Sequence, residues 1–183
     1  MSTNSVNFGG GNVTGYFYSA PANTALPDYP TATLAEAWVQ RGYISEDGIT
    51  YGGIRNNEPL KDWARNIVRT KPGEDPQTVQ APIISTDEAS LVALFGADAV
   101  VTTAATATHG KVITVDTGKT PEPAAFLFIG RDGDDSFMIG TTKGFINTID
   151  DVTFTATDAI TWTATIAAAD KFIFVKDDGQ TTT

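Results

Sequence analysis

Two short motifs contain aspartates that could act as a catalytic pair. Residues 116–118 (Asp-Thr-Gly) match the tripeptide of aspartic proteases, and residues 130–132 (Gly-Arg-Asp) resemble a helix start in the retroviral subclass. Those enzymes need two aspartates that share one proton, supplied by a second Asp-Thr-Gly or by a dimer. The sequence has no second Asp-Thr-Gly, and Lys119 stands where a small residue is needed. A strand that ends in a turn is therefore favoured, with a hydrolase that uses Asp116 and Asp132 as an alternative.

Other motifs could bind a metal ion or a phosphate group. Residues 131–136 offer three carboxylates for calcium but lack the glycine and the glutamate of an EF-hand loop. Their Asp-Gly turn between two apolar runs favours a hairpin tip, with weak cation binding as the alternative. A phosphate loop would need glycine where Ile113 stands. Because the chain has no cysteine and a single histidine, His109, which is expected in a surface loop, we predict no catalytic residue, no metal and no cofactor.

Three tryptophans could stack on sugar rings. A glycan-binding module would need Trp38, Trp63 and Trp162 to be exposed in a row. In a β domain each tryptophan more often packs in the core or at an interface. A glycan-binding or adhesin-type β-sandwich is therefore the alternative function rather than the favoured one.

The composition limits the class of protein further. Twelve basic and twenty-two acidic residues give a formal net charge of −10 in 183 residues, which is the wrong sign for wrapping nucleic acid. The chain shows no secretion signal and no apolar run of the roughly 20 residues that a membrane span needs. We therefore expect a protein that is made and kept in a cytoplasm and has no membrane partner.

Alternating residues predict many short strands and one helix. The strands are expected at residues 111–116, 125–129, 136–139, 152–156, 160–166 and 172–175. The helix is expected at about 86–95, because Ser85 and Glu88 can form a capping box and Gly96 supplies the stop. Glu46-Asp47-Gly48 predicts a hairpin corner. The pattern predicts an all-β fold, a β-sandwich or barrel with one flanking α-helix, an extended N-terminal arm and a long loop.

The chain is expected to form a single domain over residues 1–183. Residues 1–33 are predicted to be an N-terminal arm, residues 34–179 the β-sandwich core, and residues 180–183 a tail. Within the core, residues 48–80 predict a long loop, and a connection of this length usually serves a function or an interaction.

Several blocks of sequence resemble the major tail protein, or tail tube protein, of long-tailed, non-contractile phages. They lie at residues 15–27, 34–50, 61–70, 90–100, 126–135 and 152–170, in the order found in that family. The most specific part is the series that ends in Gly-Tyr-Ile-Ser-Glu-Asp-Gly at residues 42–48. The resemblance spans most of the chain and implies a β-sandwich with one helix.

The resemblance also implies a structural virion protein rather than an enzyme. Such proteins self-assemble into hexameric rings that stack into a tube, which surrounds the tape measure protein, meets the tail-end proteins and later conducts DNA without binding it specifically. The chain would then be located in the virion tail and assembled in the host cytoplasm.

The residues that assembly would use follow from the arm, the turn and the long loop. The arm and the turn contribute aromatic and acidic side chains, the loop contributes an apolar group, and acidic residues beside Thr-rich strands are candidates for the lumen. The self-assembly candidates are Tyr16, Phe17, Tyr18, Glu46, Asp47, Leu60, Trp63, Ile67 and Val68, and the lumen candidates are Asp150, Asp151 and Asp158.

Overall fold

A computed structural model describes residues 14–53, 57–72, 76–132, 135–155 and 159–179. Within these ranges the chain forms twelve strands, one α-helix and one 3-10 turn. The elements are β1 (Thr14–Pro21), β2 (Val39–Tyr43), β3 (Thr50–Gly52), β4 (Asn57–Lys61), β5 (Ile67–Pro72), β6 (Thr78–Ile83), α1 (Glu88–Phe95), the 3-10 turn (Ala97–Ala99), β7 (Val100–Thr103), β8 (Val112–Val115), β9 (Ala124–Asp132), β10 (Asp135–Ile149), β11 (Trp162–Ala168) and β12 (Ile173–Asp177). The predicted all-β class with one helix is confirmed.

The principal sheet has eight antiparallel strands. Its order is β2-β1-β9-β10-β11-β6-β3, and β12 pairs with β10 beside this path. Strand β10 is 15 residues long and contains two register shifts, which let its first half pair with β9 and β12 and its second half with β11. Bulges of this kind bend a strand and increase its twist. A bridge between Ile44, just after the edge strand β2, and Ile83 of β6, the strand beside the other edge, curls the sheet toward a barrel.

The first part of the core lies between the principal sheet and α1. Phe17 of β1 stacks between Phe126 and Phe128 of β9, with ring centroids 6.0 and 5.1 Å away. Leu94 of α1 and Ile166 of β11 belong to the same buried cluster. The helix therefore covers one face of the sheet, as the expected flanking helix would.

The second part of the core lies on the opposite face of β9. Leu127 and Met138 are buried there beneath Trp38 and the half-buried Leu26. The Trp38 indole donates a hydrogen bond to the carbonyl of Ala25 at 3.2 Å, which closes the segment between β1 and β2 onto the sheet. Because β9 is covered on both faces, its sequence is a continuous apolar run rather than an alternating one.

The predicted helix is confirmed, but its N-cap differs from the prediction. Asp87 is the N-cap, and its carboxylate accepts the backbone N–H of Ser90 at 2.9 Å. A hydrogen bond from the Ser90 hydroxyl to the same carboxylate, supported by this backbone hydrogen bond, lowers the pKa of Asp87 below its ordinary value. Ser85, predicted as the cap, instead accepts the backbone N–H of Tyr43 in β2 at 3.0 Å. Gly96 ends the helix with a φ of 90°, a conformation that suits glycine.

The N-terminal arm is shorter than the predicted residues 1–33. Thr14–Pro21 form β1, which pairs with β9 along its whole length and with β2 on its other side. The prediction that Thr14–Pro21 belong to the arm is wrong, because they pair with residues more than 100 positions away and join the principal sheet. Residues 1–13 lie outside the described ranges.

Three further strand predictions differ from the structure. Glu46-Asp47-Gly48 is not a hairpin corner, because β2 pairs with β1 while β3 pairs with β6. Residues 152–155 form no strand, and residue 156 lies outside the described ranges. The segment predicted as a long loop, residues 48–80, contains β3, a hairpin made of β4 and β5, and the start of β6. In each case pairing with distant strands, which local alternation does not encode, decides the outcome.

Candidate assembly surfaces

The β4–β5 hairpin projects from the body of the protein. Its two strands pair with each other, with Pro59 opposite Thr70 and Leu60 opposite Arg69. Every residue from 59 to 70 is exposed. An isolated two-stranded hairpin is at best marginally stable in water. The hairpin is therefore a surface for which a partner outside this single chain is expected.

A network of hydrogen bonds around Asp62 defines the tip of the hairpin. The Asp62 carboxylate accepts the backbone N–H of Asn66 at 2.8 Å and its side-chain amide at 3.3 Å. The backbone N–H of Asp62 donates to the carbonyl of Asn66 at 2.9 Å, and that of Arg65 donates to the carbonyl of Asp62 at 3.0 Å. Trp63 lies within this turn at 104% relative exposure. The turn holds an indole in solvent without support from the rest of the chain.

The four apolar residues predicted to act together all lie on this hairpin. Besides Trp63, Leu60 is 59% exposed, Ile67 64% and Val68 66%. Leu60 and Lys61 are adjacent in β4 and so point to opposite faces, and Ile67 pairs with Lys61, which places Leu60 and Ile67 on opposite faces of the hairpin. Both faces of the hairpin therefore present apolar surface, and exposed apolar patches of this kind mark interaction sites.

The arm residues predicted for assembly divide between the two faces of β1. Phe17 is completely buried in the core, so the prediction that it contacts a neighbour is wrong. Tyr16 and Tyr18 point to the other face, where the Tyr16 ring lies 6.3 Å from that of Tyr18 and 5.6 Å from that of Tyr43. Partial burial raises the pKa of Tyr18. These tyrosines form a ring cluster that is accessible at Tyr43.

Glu46 and Asp47 lie in an exposed loop between β2 and β3. The Ser45 hydroxyl donates to the Asp47 carboxylate at 3.2 Å and accepts the Asp47 backbone N–H at 3.3 Å. The carboxylate of Glu46 is exposed beside it. The two carboxylates are positioned by a local turn, and a role for them in a subunit contact stays a prediction.

One half of the principal sheet presents an open polar face. Thr148, Thr165, Gln80 and Thr50 are paired neighbours across β10, β11, β6 and β3. The Gln80 amide donates to the carboxylate of Asp150 at 3.0 Å, so this lumen candidate lies at the end of the same row. We call this surface the threonine face.

The positions of the other two lumen candidates relative to the threonine face are less well defined than that of Asp150. Asp151 follows Asp150 and is exposed. Asp158 lies outside the described ranges.

Among the described residues, the motifs with possible chemistry form a local turn and an ion pair. Asp116 accepts the backbone N–H of Gly118 at 3.1 Å in an exposed turn. Asp135 forms an ion pair with Lys176 at 3.0 Å, and residues 133–134 between it and β9 lie outside the described ranges. Among the described residues, no group of three potential metal ligands comes together. His109 is exposed in a loop, as predicted.

The three tryptophans do not form a row. Trp38 is buried, whereas Trp63 is fully exposed. Trp162 packs edge-on against Phe95 with ring centroids 5.5 Å apart. The glycan-binding alternative therefore loses the arrangement on which it depended.

The β-rich fold, the exposed apolar hairpin and the open polar face together indicate a protein that binds other protein subunits. The profile of the phage tail tube protein family matches residues 4–176, and the chain belongs to that family. The resemblance noted from the sequence is thus confirmed. The protein is a structural component of the phage tail.

A search of the curated proteins finds no match. Proteins of the tail tube family are typically structural rather than enzymatic. In the part of the chain that the structure describes, no helix is long and apolar enough to cross a membrane.

Proposed function

We propose that the protein assembles into hexameric rings and that the rings stack into a tube through which the phage DNA leaves. The family match supports a tube subunit, and the exposed apolar hairpin supports contacts between subunits. The tape measure protein inside the tube and the tail-end proteins are the further partners. The protein acts without catalysis or cofactor and is assembled in the host cytoplasm.

The β4–β5 hairpin seals one ring to the next. It exposes Leu60, Trp63, Ile67 and Val68 on its two faces, so a single contact on one side would leave apolar surface in water. A position between neighbouring copies covers both faces at once. Repeating the same contact around a closed ring and along a stack uses one surface pair many times.

The threonine face lines the lumen. Its central residues, Thr50, Gln80, Thr148 and Thr165, carry no charge, and Asp150 adds a carboxylate at its end. Each phosphate that a lysine or arginine neutralises strengthens DNA binding through counterion release. A wall of threonine and acidic side chains lacks such contacts, so DNA can pass without sticking.

Negative-stain imaging of the purified protein at high concentration tests the proposed function directly. Rings or tubes are expected. A species that stays monomeric under all assembly conditions would contradict the proposal. Replacing residues 59–70, which are all exposed, with a short Gly-Ser link should preserve the fold and impair tube growth, and unchanged growth would show that the hairpin is not the seal.

Introduced lysines test which face lines the lumen. Thr50→Lys and Thr148→Lys tubes should bind duplex DNA at moderate salt, whereas wild-type tubes should not. Thr114→Lys in β8 adds the same charge at an exposed position of another sheet and serves as the matched control. Equal DNA binding by all three variants would place the lumen elsewhere.

A further inference from the structure

A groove lies between the edge strand β2, the end of α1 and the segment that leads into β9. Its volume is about 730 Å³, within the size range of pockets that bury most of a bound small molecule. Val39, 43% exposed, and the half-buried Val92, Ala93 and Pro121 give it an apolar floor. Four segments, including the end of β1, are separated in sequence and build this groove, so it exists only in the folded chain.

Three exposed carboxylates line the groove: Glu36, Asp98 and Glu122. Two cations also line it, but both are hydrogen-bonded within the chain. The Arg41 guanidinium donates to the hydroxyl of Ser19 at 2.9 Å and to the carbonyl of Ala89 at 3.5 Å. The Lys119 ammonium donates to the carbonyl of Asp98 at 2.6 Å. These neutral acceptors leave both positive charges in place, so the five charged side chains sum to a formal charge of −1, and all three carboxylates are exposed. We call this surface the acidic groove.

The β4–β5 hairpin has the opposite charge. Residues 57–72 contain four basic residues (Lys61, Arg65, Arg69 and Lys71) and two acidic ones (Glu58 and Asp62), a formal charge of +2. Since the whole chain carries −10, the other residues together carry −12. A basic, apolar projection on an acidic protein is complementary to an acidic, apolar groove, and such complementarity favours and orients association.

The backbone at the hairpin tip adds a second observation. Arg65 has a φ of 67°, a left-handed conformation that favours glycine or asparagine over arginine. A glycine there would close the same turn with less strain, so the turn alone does not explain an arginine. The Arg65 side chain is exposed on the tip, two residues after Trp63.

We propose that the β4–β5 hairpin of one copy docks in the acidic groove of a second copy. Trp63 then packs on the apolar floor at Val39, and Arg65 and Arg69 face Glu36 and Glu122. The occupant is a second copy because residues 59–70 are all exposed in the single chain, which its own groove therefore does not cover. The proposal rests on the proposed function, since it names the surface that receives the sealing hairpin.

A charge exchange tests the pairing. The hairpin variant carries Arg65→Glu with Arg69→Glu, and the groove variant carries Glu36→Lys with Glu122→Lys. All four side chains are exposed, so each variant should fold like the wild type, which circular dichroism checks. Each variant alone should raise the concentration needed for assembly by roughly tenfold or more. Combining both sets in one chain should restore assembly to within about threefold of wild type, because opposite charges again meet.

Mixing and a matched control distinguish the pairing from a general charge effect. The hairpin variant mixed with the groove variant should co-assemble, although neither assembles well alone. Asp28→Lys with Asp170→Lys reverses two exposed carboxylates outside the groove and should not rescue the hairpin variant. Rescue by this control, or no rescue by the groove variant, would overturn the pairing.

A cross-link identifies the occupant. The chain has no cysteine, so Trp63→Cys in one protein and Val39→Cys in another are the only thiols in a mixture. A short bismaleimide should join them into dimers under assembly conditions. A cross-link that forms within one monomer carrying both cysteines would mean that the hairpin covers its own groove, and no cross-link between copies would place the hairpin elsewhere. If tubes form but neither cross-link appears, only this inference is overturned. If the wild type never assembles, the proposed function is overturned as well.

Discussion

Replacing Trp63 with serine should impair assembly without affecting folding. The indole is fully exposed in the single chain, so its removal takes no buried contact from the folded state. Exposed substitutions of this kind usually change the free energy of unfolding by no more than about 0.5 kcal/mol. The turn itself is closed by Asp62, Arg65 and Asn66, which the substitution leaves in place.

The expected effect on assembly follows from the area that the indole can bury. A tryptophan buries about 150–250 Å², which at about 25 cal/mol/Å² corresponds to an upper limit of about 4–6 kcal/mol. Truncation of an interface hot spot costs about 2 kcal/mol or more, and we take about 2–4 kcal/mol for Trp63. At about 1.4 kcal/mol per factor of ten, the critical concentration for assembly should rise by about 30-fold to about 700-fold.

Phe17→Ala provides the matched aromatic control. Phe17 has no exposed surface and stacks between Phe126 and Phe128. Its truncation should lower the free energy of unfolding by about 3–5 kcal/mol, because it removes contacts and leaves a cavity. The two aromatic residues therefore report on different processes, folding for Phe17 and association for Trp63.

Urea unfolding of the monomer measures the first process, and light scattering with negative-stain imaging measures the second. The reasoning is refuted if Trp63→Ser lowers the free energy of unfolding by more than about 1 kcal/mol, because an exposed residue has no such contribution to lose. It is equally refuted if the critical concentration is unchanged, since the indole would then stay in water after assembly.

Three further predictions concern the helix start, its pH dependence and the N-terminus. Gly42→Ala should lower the free energy of unfolding by about 2 kcal/mol or more. Gly42 has a φ of 149°, and an added Cβ would lie 2.7 Å from the Ser85 hydroxyl and 2.9 Å from the Ser90 hydroxyl. A midpoint of urea unfolding equal to that of the wild type would contradict this prediction. Asp87→Ala should cost about 1 kcal/mol at pH 7. The hydrogen bond from the Ser90 hydroxyl lowers the pKa of Asp87 below its ordinary value of 3.8, so the stabilisation by this carboxylate is fully present above that pH. It is lost as the pH falls through the lower pKa of the folded state. If wild type and Asp87→Ala differ by the same free energy of unfolding down to pH 2, the carboxylate is not the source of the stabilisation. Protease cleavage within residues 1–13 should be slower in tubes than in monomers, since their Gly-rich sequence predicts ordering against a neighbour, and equal rates would refute it.

Local sequence determined the features that depend on neighbouring residues. The helix follows from apolar residues at one-face spacing and a glycine stop, and Leu91, Leu94 and Phe95 are buried as that spacing requires. The lack of cysteine and the single histidine restrict metal and nucleophile chemistry whatever the fold. The apolar group of the hairpin was also visible in sequence, because it interrupts an otherwise polar segment.

The tertiary structure decided which strands pair and which faces are covered. The first aromatic strand looked like part of an arm because glycine and proline surround it, but its partners are β2 and the distant β9. Alternation shows that a strand has two faces and does not show which face a helix or a loop will cover. Phe17 therefore could not be assigned to the core, nor Tyr16 to the opposite face, until the neighbours of β1 were known.

The acidic groove and the threonine face are also products of tertiary structure. The groove combines Glu36, Asp98 and Glu122, which no motif links, and the threonine face aligns residues of four strands through their register. Register between strands depends on bulges and on long-range pairing, and a shift by one residue would turn every side chain of a strand to the other face. The sequence alone therefore indicated a β-rich protein that resembles the tail tube family, and only the fold decided which of its surfaces are exposed.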